Sequence, residues 1–316
     1  MKVIDFHTHL FPAKISRKVL SKLALSCRSL PFTDGTAEAL SASMKKAGVT
    51  CSVDLPVMTR ADQVEKVNDR MIRERDYLSG LGILAFGGMH PDYGVGTGSP
   101  AGVHSQKMMI RAELAKLKEA GIPGIKIHPA YQGKNLDDPS MMRIIDVASD
   151  LEMIVVTHAG MDIGIYEHNY ADTRMILHVL EEVRPCKFVL AHMGGWAGWL
   201  TVEKDLAGAP CWFDTAFSLG DITPYDPANK PDYLRYEGDL AEAEAGKQGP
   251  ILLHQMSDQD FVRLCRKHGT DHILFATDSP WADQSEYVEK IQGMPFTEEE
   301  KAQIFYKNAE QLKAAE

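Results

Sequence analysis

Ile4-Asp5-Phe6-His7-Thr8-His9 is the stretch from which the fold of this chain is read. Met1 to Phe6 is short, apolar and β-prone, which predicts a buried strand carrying His7 and His9 at its end. Side chains alternate along a strand, so these two histidines share a face, about 6.6 Å apart along it, and Thr8 points away. Two imidazoles on one face can converge on one cation, and zinc accepts such ligands at roughly 2.0–2.1 Å. Alone, the pattern fits equally well two polar residues leaving a strand for a turn.

Similar apolar runs recur down the chain. They are Val49–Val57 (VTCSVDLPV), Leu81–Met89, Gly124–His128 (GIKIH), Met153–His158 (MIVVTH), Lys187–His192 (KFVLAH), Cys211–Ala216 and His272–Thr277 (HILFAT). Helical patterns fall between them, among them Thr36–Ala47 closed by Gly48, Asp62–Leu78 with Asp62 as its cap, Pro139–Asp150, Asp172–Val183, the end of Ile251–His268, Asp283–Ile291 and Thr297–Ala314. Eight strands alternating with helices predict an α/β fold with a parallel sheet, closed as a (β/α)8 TIM barrel with insertions in its βα loops. One barrel domain over residues 1–316 is expected, with a lid-like insertion near 219–250. The glycine-rich stretch Asp92–Gly102 lacks the Gly-Lys-Ser/Thr ending of a phosphate cradle and reads as a rim loop.

Composition narrows the function. The chain has 316 residues and a net charge of −10, with no basic run interleaved with aromatics, so nucleic acid is not an expected partner. No apolar run approaches the ~18 residues of a membrane span and no charged-then-apolar leader opens the chain. Five widely spaced cysteines without a Cys-x-x-Cys pair argue against a disulfide framework, and small buried packing roles are expected for Cys51, Cys186 and Cys211. A soluble protein of a reducing cytoplasm is expected, acting on a small molecule, with a homodimer as the default assembly.

In a (β/α)8 barrel the active site lies at the C-terminal ends of the strands. Those ends collect His7, His9, Lys126, His128, His158, His192 and Asp278. Any one histidine there could be a satisfied rim residue; histidines ending three strands with an aspartate ending a fourth suit Zn, Mn or Fe. Asp54 and Asp214 could orient the histidines or cap loops. Trp196, Trp199 and Trp281 follow strands six and eight and are candidate pocket walls or packing.

At Asp5-Phe6-His7-Thr8-His9, Gly124-Ile125-Lys126-Ile127-His128-Pro129, Thr157-His158-Ala159-Gly160, Ala191-His192-Met193-Gly194-Gly195 and Phe275-Ala276-Thr277-Asp278-Ser279-Pro280-Trp281, the chain resembles the amidohydrolase superfamily of metal-dependent hydrolases. The branch it most resembles includes aminocarboxymuconate-semialdehyde decarboxylase and related aromatic-acid decarboxylases. The resemblance implies His7, His9, His158 and Asp278 as ligands of one divalent metal, zinc before manganese or iron. It implies His192 as an acid/base group beside the ion, or a ligand of a second ion in two-metal relatives, where the lysine matching Lys126 is carboxylated. One ion is the preferred expectation.

The activity expected is hydrolysis of an amide, ester or lactone by metal-activated water, with Asp278 taking the proton and His192 assisting. With a substrate carboxylate held by Lys126, His128 or Arg60, the same centre could support non-oxidative decarboxylation. A TatD-like phosphoesterase matches the first strand and the Thr-Asp-Ser ending but uses a glutamate on strand four. A non-catalytic barrel is the remaining alternative.

Overall fold

The computed structural model describes residues 1–95, 100–226, 231–234 and 255–314. Its strands are β1 (Ile4–Thr8), β2 (Cys51–Asp54), β3 (Ile83–Ala85), β4 (Gly87–Gly88), β5 (Gly124–Ile127), β6 (Ile154–Thr157), β7 (Phe188–Leu190), β8 (Trp212–Asp214) and β9 (Ile273–Leu274). Every paired neighbour is parallel and follows chain order, in one run β1-β2-β3 and another β4 to β9. β3 and β4 are halves of the expected third strand, parted at Phe86, whose N–H donates to Asp54 O at 3.1 Å. The ends meet where Phe6 N–H donates to Phe275 O at 2.8 Å and Thr8 bridges Ser279. Eight strand positions thus close into the (β/α)8 barrel.

Two apolar layers hold it. Ile4, Phe6, Val53, Leu55, Phe86, Val156, Val189 and Leu274 form a cluster drawn almost wholly from strands. Residues of opposite parity, such as Ile125, Ile127, Val155 and Phe213, pack instead with helix residues including Ile144, Leu117 and Phe261. Strands buried on both faces read as near-continuous apolar runs, which explains GIKI and IVVT.

The helices begin and end where their capping residues dictate. Thr36, Asp172, Asp283 and Thr297 accept backbone N–H groups of the helices that follow, and Gly48 ends Ala37–Ala47 in the left-handed region. Asp62 is not the cap expected of it; it lies inside a 3₁₀ turn, Ala61–Gln63, and the α-helix runs Val64–Gly80. The strands are shorter than their apolar runs because flanking residues serve other elements: Val49 N–H donates to Met44 O, closing a helix. The expected rim loop is shorter too, since a helix already spans Pro100–Glu119. The insertion near 219–250 lies largely outside the described residues. Cys186 is exposed rather than buried, while Cys211 is buried and Cys51 half-buried. Among the described residues no helix is long and apolar enough to cross a membrane.

Candidate metal centre

β1 supplies the first two side chains through an irregularity. Asp5 pairs with Ser52 and Thr8 with Asp54, so β1 advances three residues where β2 advances two. Such a bulge re-aims side chains. Asp5 is turned to Gln284 Nε2 (2.7 Å) and Thr277 Oγ1 (2.6 Å), whereas His7, of the same parity, reaches the centre of the barrel mouth. There His7 Nε2 lies 3.1 Å from His9 Nε2. Asp5 thus staples β1 to the last strand segment and to a surrounding helix; burial raises its carboxyl to about 6.

The partners of the other ring nitrogens fix where the protons sit. His7 Nδ1 faces Asp214 Oδ2 at 2.8 Å, His9 Nδ1 faces Leu55 O at 2.7 Å, His192 Nδ1 faces Ala216 O at 2.9 Å, and His158 Nε2 faces Met161 O at 3.1 Å. All four partners are acceptors, so each imidazole is assigned its single proton on that side. The inward nitrogens, His7 Nε2, His9 Nε2, His192 Nε2 and His158 Nδ1, therefore present lone pairs. Lone pairs also face one another, as His192 Nε2 lies 3.0 Å from His158 Nδ1. Asp278 Oδ1 lies 3.1 Å from His9 Nε2, yet this buried oxygen has no hydrogen bond, because His9 has no proton to give there.

The electrostatics favour neutral rings. Burial lowers the proton affinity of His7 and His158 well below the usual histidine value and takes His192 to about 3. Neutral imidazoles are the ligand form. Lys126, 1% exposed, places Nζ 3.0 Å from His7 Nε2, and burial lowers it to about 8 against the opposing pull of Asp214 and Asp278. At neutral pH this ammonium is the protein's own cation among the lone pairs.

His7, His9 and Asp278 bring ligand atoms within 4.8 Å of one another; His158 falls in a neighbouring group with His128 and Asp162. The second group is less ready for an ion. His128 Nδ1 accepts the Tyr131 N–H at 3.4 Å, so its Nε2 carries the proton and faces Asp162 Oδ2 at 3.6 Å. Two of the site residues sit in strained backbone, His192 at φ 59° and Asp278 at φ 71°, left-handed conformations that side chains rarely adopt.

The remaining expected residues fall in different places. His128 lines the same cavity of about 620 Å³ as the centre. Arg60 lines its outer part, but its side chain is 65% exposed and engaged twice by Asp62, at 2.8 and 3.1 Å. Asp214 supports the centre, accepting from His7 and from the His192 and Ala216 N–H groups. Asp54 supports a turn instead, accepting Leu10 N–H at 3.1 Å. Trp196 and Trp281 line the cavity, while Trp199 donates to His192 O at 2.9 Å and braces that turn. Asp162 stands outside every quoted motif, only four residues past His158 in a loop with no pattern of its own, and Asp5 stands inside the first motif, which gives no sign of its bonds to Thr277 and Gln284.

Inward lone pairs and an orphaned buried carboxylate oxygen are the donor set of a divalent cation site, so the residues present fit a metal. Fold and site together define a metal-dependent enzyme on a (β/α)8 barrel. The chain belongs to the amidohydrolase family: the family profile described as "Amidohydrolase" matches residues 4–312. The members of that family are metal-dependent hydrolases and decarboxylases.

Solved structures share the fold over nearly the whole length. An uncharacterised TIM-barrel protein of Bordetella bronchiseptica is 15% identical, with 99% of this chain and 98% of that one covered at a TM-score of 0.68. A dihydroxybenzoic acid decarboxylase of a Polaromonas species, with bound manganese and the inhibitor 2-nitroresorcinol, is 12% identical, covering 99% and 96% at 0.64. A probable 2-pyrone-4,6-dicarboxylic acid hydrolase of Acinetobacter baumannii with citric acid bound is 14% identical, covering 99% of each at 0.56. No curated protein matches the chain.

Proposed function

We propose that the chain is a hydrolase that cleaves an amide, ester or lactone bond in a small organic molecule, using one divalent ion, zinc before manganese or iron. The observation that carries this reading is the convergence of His7 Nε2, His9 Nε2 and the orphaned Asp278 Oδ1 beside the His158–His192 pair. His7, His9, His158 and Asp278 would hold the ion, which supplies a Lewis acid for a carbonyl and acidifies water. Asp278 would take a proton from the attacking water and return it to the leaving group. His192, neutral and hydrogen-bonded through Nδ1 to Ala216 O, would share that proton through Nε2. His128 offers its Nε2–H to a substrate oxygen.

A second reading is non-oxidative decarboxylation, favoured by Lys126, whose buried ammonium would pair with a substrate carboxylate at the centre. Metal analysis followed by a panel of lactones, amides and carboxylated aromatics separates the two. Solvent oxygen-18 in the product supports hydrolysis, whereas carbon dioxide release without water addition overturns it in favour of the lyase. His7→Ala and Asp278→Asn are expected to lose bound metal and at least a hundredfold in turnover, a loss of about 2.7 kcal/mol of transition-state stabilisation; unchanged metal content in both would sink the site assignment.

A further inference from the structure

Outside the histidine centre the cavity is walled by two helix faces of different chemistry. Ile15, Val19 and Leu23 come from the helix Ala13–Cys27, four residues apart and so on one face, and Ile15 is left 47% exposed. Lys66, Arg70 and Arg73 come from Val64–Gly80 at positions i, i+4 and i+7, also one face. Among the described residues none of these three cations is in an ion pair, although Arg60, Arg75 and Lys116 close by are paired with Asp62, Asp76 and Asp69. Arg70 also interacts by charge with the buried Asp54, and Lys66 more weakly with Asp62, the one acid on this wall, which is held chiefly by Arg60. In a chain of net charge −10, three cations outside any ion pair on one wall of a cleft focus anions into it.

The cavity volume of about 620 Å³ is in the range of sites that take a drug-sized molecule, larger than the histidine centre alone needs. We infer that the substrate is an elongated amphiphile, its apolar body lying on Ile15, Val19 and Leu23 and a fixed anionic group, carboxylate or phosphate, taken by Lys66, Arg70 and Arg73 away from the reacting bond. This rests on the proposed function only in placing the reacting bond at the histidine centre.

Titration calorimetry with decanoate, decyl phosphate and decyltrimethylammonium tests it on the full chain, the Lys66→Gln/Arg73→Gln variant and His7→Ala. Both substituted cations are exposed, so the double variant should fold, which circular dichroism checks. Expected is binding of the anions, the tighter one identifying the headgroup, with the cation at least about tenfold weaker. The double variant should weaken anion binding by about tenfold, as should raising the salt, while His7→Ala binds as the unmodified chain does. The inference is overturned if no probe binds, if the cation binds as tightly, or if the double variant is unaffected. Loss of probe binding in His7→Ala alone would place the anion at the centre and overturn it too. Metal content and turnover of His7→Ala judge the reaction separately.

Discussion

His192 Nε2 and His158 Nδ1 lie 3.0 Å apart with no proton between them, since each ring has committed its proton to a backbone carbonyl. Opposed lone pairs at this distance repel, and a cation relieves them. Zinc or manganese should therefore raise the melting temperature and chelation lower it. At a metal concentration of a hundred times Kd the gain is about 2.7 kcal/mol, or roughly 5 °C for a chain of this size. A melting temperature indifferent to both metal and chelator would show that the centre holds no ion.

Asp214 holds the His7 ring from behind. Asp214→Asn keeps an oxygen for the His192 and Ala216 N–H groups but loses the charge opposite His7 Nδ1. We expect metal affinity to fall 10- to 100-fold, the usual cost of removing such a partner, with little change of fold. Competition with a chelating dye measures it; unchanged affinity would mean that His7 is not a ligand.

Gly160, just beyond β6, has φ +87°, and a Cβ there would stand 2.2 Å from Trp196 N and 2.5 Å from Gly195 C. Backbone cannot yield as a side-chain tip can. Gly160→Ala should cost roughly 2–4 kcal/mol in urea unfolding and misplace the His158 and His192 turns together. A loss below about 1 kcal/mol would show that the two loops move apart freely.

His268 makes acid stability measurable away from the site. Its Nε2–H donates to Cys211 O at 3.0 Å, its Nδ1 accepts Gly208 N–H at 3.1 Å, and it stacks on Phe213 with centroids 3.7 Å apart. Burial lowers it from 6.5 to about 4. The folded chain therefore stays neutral where the unfolded chain takes up a proton. This contribution is complete above pH 6.5 and is lost as pH falls toward 4, on the order of 3 kcal/mol in all. His268→Gln should flatten the pH dependence of unfolding free energy in that window; an unchanged slope would show that His268 is not its source.

The barrel was legible because parallel strands buried on both faces must be apolar throughout, so GIKI, IVVT and FVL stand out from amphipathic helices. The histidines and Asp278 were legible through their common position at strand ends. What escaped depends on contacts across long separations. Nothing in Asp5 signals a bond to Gln284, and nothing in Asp54 or Asp214 tells which of them will meet a histidine. The bulge in β1 was equally invisible: alternation puts His7 on the face of Asp5, and only the three-for-two pairing with β2 separates them. Arg60 reads as available from its loop position, but its neighbour Asp62 accepts from its guanidinium twice.

His192 and Asp278 occupy left-handed backbone, so exchanging either residue disturbs its turn as well as its chemistry. The walls carrying Ile15, Val19, Leu23, Lys66, Arg70 and Arg73 are ordinary helix, where a side chain can be replaced without redrawing the main chain. Directed evolution of this scaffold toward new substrates should thus accumulate its accepted changes on those two helices and leave the strand-end residues as a fixed reaction module.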